Sequence, residues 1–466
     1  MVFSSIPFLF FFLPLFLAAY FVTPSIQGKN LVTLLCSLLF YGWGEPWFVL
    51  VLLASIAFNT IAAVVIDACR GSGRAIALTL AVTANLLLLA AFKYANFLVA
   101  NLDVLLAPFG AAVNLPDIPL PLGISFFTFH SLSYIIDVYR RRFRANRDPV
   151  QVALYIALFP QLVAGPIVRY KTVARQLSAR RHTLSRASAG ARIFIIGLAQ
   201  KVLIADPLAQ LVEVVFDHTP LPSMAEAWIG LLAYTIQIYY DFAGYSNMAI
   251  GLGLVMGFTF PRNFRLPYSS LSITEFWRRW HMSLSAWLRD YLYVPLGGNR
   301  VGLLRTYRNL LTVFILCGLW HGANWTFVAW GAWHGGFLVL ERLHLSRLAR
   351  FPWPARWAYA QLAVMGGWVL FRSRDLHTAW AIYGGLMGRH GLGSMSLDMH
   401  ATLSTGLAVL LVAGSALAVL PRWVRLPVLP PRLVASADTL WTFGLLIVAM
   451  IFVAAGTYSP FLYFRF

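Results

Sequence analysis

The chain has 466 residues, of which 59% are hydrophobic and only 11% charged, and its mean hydropathy is +0.72. A soluble globular domain carries about 25% charged residues, so this composition excludes a soluble enzyme and indicates a membrane protein. The net charge of +19 would suit nucleic acid, but its cations sit in short connections between apolar runs, with no basic soluble module, which leaves no nucleic-acid partner and favours anionic lipid head groups.

The first apolar run, about 5–23, opens without Lys or Arg, and the first cation is Lys29. It lacks the positive start and small-residue cleavage site of a signal peptide, so it reads as a span with an N-terminus outside the cytoplasm. Runs at 46–66 and 75–92 follow, each close to the roughly 20 residues that cross a hydrocarbon core. Shorter or broken runs lie at 30–42, 95–112 and 119–138. The stretch PVQVALYIALFPQLVAGPIV (149–168) has a basic cluster on each side, Arg140 to Arg147 and Arg169 to Arg192. With both clusters cytoplasmic, it cannot simply cross. Re-entrant or broken half-helices around Pro160 and Pro166 are expected, and backbone of that kind survives at depth only against protein or a water-filled cavity.

Further runs occupy 187–204 and 226–256. Then comes SITEFWRRWHMSLSAWLRDYLYVPLGGNR, Ser272 to Arg300. Ser272 with Glu275 three residues on is a capping box, and the apolar residues recur at three- and four-residue steps. The pattern predicts one basic, Trp-rich amphipathic helix in the membrane interface, ended by Gly297 and Gly298. Runs at 307–320, 323–340, 357–371, 401–420 and 437–457 complete the set, with a Pro-rich linker at 424–434. The expectation is an all-α integral membrane protein of about 11 spans plus half-helices, with no soluble domain left over. Cys36, Cys69 and Cys317 have neither metal-ligand nor disulfide spacing.

Polar residues inside apolar runs are the candidates for chemistry, because each is costly there. His321 lies in CGLWHGANW (317–325), flanked by Trp320, Gly322 and Asn324. A neutral imidazole at depth can take a proton from a hydroxyl; its alternative role is a hydrogen bond that glues two helices. His281 follows Trp280 near the edge of the amphipathic stripe, able to face a cavity or to reach head groups. His334 is 13 residues after His321 and would point about 140° away on one helix, which assigns it to packing. Asp241 and Tyr245 lie in IQIYYDFAGYSNMAIGLGL, and the carboxylate is either part of a cavity wall or paired with an arginine such as Arg279 or Arg289. No phosphate-binding loop, nucleophile elbow, dinucleotide fingerprint or clustered metal-binding histidines occur.

The stretches TEFWRRWHMSLSAWLRDYLYVPLGGNR and GLWHGANWTFVAWGAWHG resemble the membrane-bound O-acyltransferase family. The branch is the bacterial one that includes the alginate O-acetylation membrane subunit and the D-alanyl transfer protein of teichoic acids. Supporting stretches are FKYANF (92–97), LPLGISFFTFHSLSYIIDVYR (120–140), FPQLVAGPIVR (159–169), YYDFAGYSNMAIGLGLVMGF (239–258), RNFRLPY (262–268) and TYSPFLYFRF (457–466). The resemblance implies one transmembrane domain over 1–466, with a core at about 90–340 and peripheral helices at 341–466 that match only in hydropathy. It implies a ring of tilted helices around a central funnel, in a multi-pass protein of the bacterial inner membrane.

His321 matches the family's catalytic histidine and His281 its second signature position. Substrate contacts are expected from Asp241, Tyr245, Asn324, Trp320 and Arg289. The implied donor is acetyl-CoA, with no permanently bound cofactor or metal. The acetyl group would pass to a periplasmic SGNH-type acetyltransferase partner and on to an exopolysaccharide, most directly alginate. Two rivals use the same residues differently: a transporter without bond chemistry, against which the absence of two related halves argues, and a scaffold that only holds a periplasmic enzyme.

Overall fold

The computed structural model describes residues 1–113, 115–420, 431–456 and 461, and their regular structure is helical, with no strand among the described residues. The Pro-rich linker at 424–434 and the terminal TYSPFLYFRF fall largely outside the described residues. The chain divides into two compact units, Met1–Phe194 with Ser246–Pro261, and Ile195–Tyr245 with Arg262–Phe466.

In the first unit a π-helical opening, Pro7–Phe12, continues into α1 (Leu13–Val22), followed by α2 (Ile26–Gly42), α3 (Phe48–Ala68), α4 (Gly71–Lys93), α5 (Ala95–Leu106) and α6 (Ile124–Tyr139). The run at 149–168 is broken as its prolines require: α7 (Pro149–Ala157), an extended turn at Leu158, then α8 (Phe159–Leu162). Pro160 has no N–H to donate to the carbonyl four residues back, so the α7 ladder stops. The break is covered by rings: Phe8, Phe12 and Phe16, four residues apart on one helix face, lie 6.3, 5.5 and 5.2 Å from Phe159. Opposite the break, α6 and α8 bring in Thr128, His130, Ser131 and Gln161, all buried, with polar atoms that have no partner among the described residues. This interior is polar where hydrocarbon packing would have sufficed. Helices α3 and α4 are joined by a reciprocal amide pair, Asn59 and Asn85, at 3.0 and 2.8 Å, a means of association suited to lipid. Helix α9 (Tyr170–Ser178) ends the unit's basic loop, and α10 (Leu184–Ala199) begins a longer helix.

The second unit carries a π segment, Gln200–Ala205, then α11 (Asp206–Glu213), and most of α12 (Met224–Val255). The expected amphipathic helix at 272–300 is corrected by the structure. It comprises two short helices, α13 (Ile273–Trp277) and α14 (Met282–Leu288), with a π segment at Arg289–Tyr293. The break falls at His281, whose φ of 41° lies in the left-handed region. After it come α15 (Leu303–His321), α16 (Trp325–Leu348), α17 (Trp353–Arg372), α18 (Leu376–Leu386), α19 (Leu397–Thr402), α20 (Thr405–Val419) and α21 (Pro431–Ala454). Helices α15 and α16 pack backbone to backbone. A Cβ added at Gly318 would lie 2.1 Å from the Phe327 carbonyl oxygen, and one at Gly331 would lie 2.3 Å from that of Phe314.

Among the described residues, four helical stretches are long and apolar enough to cross a bilayer: Phe48–Ala68, Gly71–Lys93, Leu184–His218 and Ala437–Ala454. They coincide with the predicted runs at 46–66, 75–92, 187–204 and 437–457. Most of the remaining runs are also helical, but shorter, broken or studded with polar residues.

Candidate functional site

His321 is the last residue of α15, where Gly322 turns the backbone to extended geometry. The residue is buried, only 5% exposed, and among the described residues three aromatic rings surround it. Trp320, Trp330 of α16 and Phe371 of α17 have centroids 4.8, 5.2 and 5.0 Å away, each close to edge-on. The close approach at Gly318 and Gly331 makes this box possible, because it brings the end of α15 against the start of α16.

His281 is fully buried beside the same box, its ring 6.2 Å from Trp320 and 4.6 Å from Phe242 of α12. Asn263 holds it. The Asn263 Oδ1 accepts the Ser283 N–H at 3.2 Å and the Ser283 hydroxyl at 2.8 Å, so this atom is the amide oxygen. His281 Nδ1, 3.1 Å from the same oxygen, must therefore be its protonated nitrogen, which leaves Nε2 as the basic one. The Asn263 carbonyl also accepts the Met282 N–H at 2.9 Å, so one residue fixes both the chain reversal and the tautomer.

Further support comes from Glu341. Its carboxylate accepts the N–H groups of Ile273 and Thr274 at 2.5 and 2.9 Å and the Thr274 hydroxyl at 2.6 Å, capping α13 from α16. Ser272 caps the Glu275 N–H at 3.0 Å, as the capping box predicts, but Glu275 reaches back to the N–H of Leu271.

The other sequence candidates separate. Trp320 touches both imidazoles. Asn324 caps α16, accepting the Thr326 N–H at 3.0 Å and donating to the Arg374 carbonyl at 2.7 Å. Asp241 is in an ion pair, but not with Arg279 or Arg289: its partner is Lys201, at 2.8 Å, which also binds Asp206 at 2.6 Å. All three are buried. Arg279 instead pairs with Glu275 on its own helical turn, and Arg289 is exposed and bonded to Asp290. Tyr245 is buried, stacked on Phe461 at 4.7 Å. Thus α12 turns Phe242 to His281, Asp241 to Lys201 and Tyr245 to Phe461. His334 is wedged between Trp277 and Trp330, at 5.1 and 5.0 Å, and accepts from the Trp277 indole at 3.4 Å.

Sequence reasoning gave no role to Asn263, Glu341 or Lys201. Lys201 carried a usable signal, an ammonium within the run 187–204, by the argument that singled out Asp241. Asn263 and Glu341 carried none, because their partners lie 18 to 68 residues away in sequence and no local pattern marks them. Among the described residues, no group of three or more His, Cys, Asp or Glu side chains could hold a metal ion.

A family model described as MBOAT, membrane-bound O-acyltransferase family, matches residues 35–371. The chain is 46% identical over 423 residues to the probable alginate O-acetylase AlgI of Azotobacter vinelandii, covering 90% of this chain and 84% of that protein. It is 44% identical over 493 aligned residues to the probable alginate O-acetylase AlgI of Pseudomonas putida, covering 100% of both. The peptidoglycan O-acetyltransferase of Helicobacter pylori is 35% identical over 439 residues, covering 86% of this chain and 82% of that protein. The family match begins in α2 and runs through α17, taking in the buried imidazoles and the aromatic box, and the chain belongs to the membrane-bound O-acyltransferase family of integral membrane proteins.

Proposed function

We propose that this chain takes an acetyl group from cytoplasmic acetyl-CoA and passes it across the bacterial inner membrane for O-acetylation of an exopolysaccharide, alginate. The observation that carries the reading is His321, an imidazole buried in an aromatic box in a chain 46% identical to a probable alginate O-acetylase. His321 acts as general base. It takes the proton of the acceptor hydroxyl as that oxygen attacks the thioester carbonyl carbon. The C–S bond then breaks and the departing thiolate takes the proton from the imidazolium, so that ester and free CoA are the products. His281, with its basic Nε2 oriented by Asn263, shares or relays that proton. Trp320, in contact with both rings, walls the reacting atoms from water.

The chemistry needs a passage to both faces, and a ring of about 11 tilted helices around a funnel, crossing the membrane many times, supplies it. Asp241 and Tyr245 belong to the wall of that passage, Asn324 holds the start of α16 near the acyl group, and Arg289 meets the donor at the surface. The receiving partner is a periplasmic SGNH-type acetyltransferase. The test is His321→Ala expressed at normal membrane abundance: polymer acetylation is expected to vanish, and retained acetylation removes the catalytic assignment. Purified protein given labelled acetyl-CoA is expected to release free CoA, whereas uptake without cleavage would make it a transporter. Acetylated peptidoglycan in place of acetylated alginate would move the acceptor to the class named for the Helicobacter pylori relative.

A further inference from the structure

A second site lies within the first unit, where α3 ends and α4 begins. A pocket of about 690 Å³ opens between the Cys69–Arg74 turn and the loop after α6. Arg70, Arg74, Arg141, Arg144 and Arg147 line it, with Asp67 the one carboxylate among its lining residues. That carboxylate is occupied, since its Oδ2 accepts the Ala145 N–H at 3.2 Å and ties the loop to α3. Arg74 is built in. It is 7% exposed, lies over the Tyr139 ring at 5.8 Å and donates from Nη2 to the Val138 carbonyl at 2.7 Å. Its Nε is buried with no partner among the described residues. The loop itself is shaped by Arg141 in left-handed backbone geometry and by the Arg142–Asp137 ion pair at 3.0 Å. Five arginines thus line one pocket, with Arg74 anchored and the other four exposed at its rim. Among the described residues no side chain caps the first turn of α4, so the positive end of that helix adds to the field.

The pocket's depth in the membrane narrows the ligand. Helices α3 and α4 are both long and apolar enough to cross a bilayer. Their exposed faces are hydrocarbon-like, with Ile61, Val64 and Val65 on α3 and Ile76 and Leu80 on α4. Val64 itself lines the pocket. The arginines therefore sit where the apolar surface ends, at head-group level. We infer that this pocket binds the phosphate of an anionic phospholipid, with the acyl chains lying along the exposed face of α3 and α4. The phosphate accepts hydrogen bonds from the guanidinium rim, and a zwitterionic head group, whose ammonium would meet the same arginines, is disfavoured.

The full chain in nanodiscs of phosphatidylcholine containing a minor fraction of phosphatidylglycerol or cardiolipin is the test, with retained lipid measured by native mass spectrometry. Arg74 also supports the fold through Val138, so the informative variant is Arg144→Gln with Arg147→Gln; neither side chain makes a hydrogen bond to protein among the described residues. The wild type is expected to retain the anionic lipid over phosphatidylcholine. The double variant should bind it about thirtyfold more weakly, the combined effect of two interfacial arginines. Equal retention of phosphatidylcholine, or unchanged retention by the double variant, would overturn the assignment. So would binding of CoA with no preference for anionic lipid, which would give the pocket to a soluble phosphate. None of these readouts depends on acetyl transfer, so the outcome is separable from that of the proposed function.

Discussion

At the scale of single residues, Asn263 is placed to decide what His281 can do. Its oxygen serves three donors, so Asn263→Ala strips partners from His281 Nδ1 and from both Ser283 groups at once. Each hydrogen bond lost is worth about 0.5–1.5 kcal/mol. The expected outcome is a fall in kcat for acetyl transfer with KM little changed, partly restored by Asn263→Asp, which keeps an acceptor oxygen; equal activity of the Ala variant would show that the tautomer does not matter. His321 was legible in the sequence because an ionisable group in an apolar run is expensive and stands out. Asp241 stood out for the same reason, but its partner did not. Arg279 is within one helical turn of Glu275 and pairs locally, so the long-range ammonium of Lys201 takes the carboxylate instead.

At the scale of elements, the broken run around Pro160 was legible and the break at His281 was not. Proline removes a hydrogen-bond donor wherever it stands, so its effect can be read locally. Arg278, Arg279, Trp280 and His281 contain no such punctuation, and their apolar spacing is that of a continuous helix. The reversal is imposed from outside, by the Asn263 carbonyl on Met282 and by Glu341 on the first turn of α13. Glu341→Gln keeps one acceptor oxygen where two are used, and the expected loss is about 1–2 kcal/mol, read as a lower thermal midpoint together with lower activity. The α15–α16 contact makes a sharper prediction. Gly318→Leu puts a side chain where even a Cβ would lie 2.1 Å from the Phe327 oxygen. Overpacking of this kind costs about 1–3 kcal/mol or more, and loss of acetyl transfer in protein that still reaches the membrane is expected, since the box around His321 depends on this approach.

At the scale of the whole molecule, His182 gives stability a pH dependence. It lies in the loop before α10, 2.9 Å from the Tyr20 hydroxyl and 3.2 Å from the Met256 carbonyl. Burial first, then the Arg180 and Lys29 charges, hold its pKa below the usual value. The unfolded chain therefore binds the proton more readily, so stability is full above about pH 6.5 and declines as pH falls from there towards the depressed folded value. Thermal unfolding in detergent should show this acid-side loss, and His182→Asn should flatten it. The triad of Lys201, Asp206 and Asp241 bears on how the protein is made. Two carboxylates share one ammonium in a buried setting. A segment bearing Asp241 alone would meet a translocon cost of about 3 kcal/mol. The stretch with Lys201 emerges from the ribosome first and already carries Asp206 as its partner, so the ammonium is in place to receive Asp241 when the later helix arrives. Lys201→Met should therefore leave the Asp241 carboxylate without its ammonium in the later helix, and the expected outcome is lower steady-state membrane abundance through proteolysis.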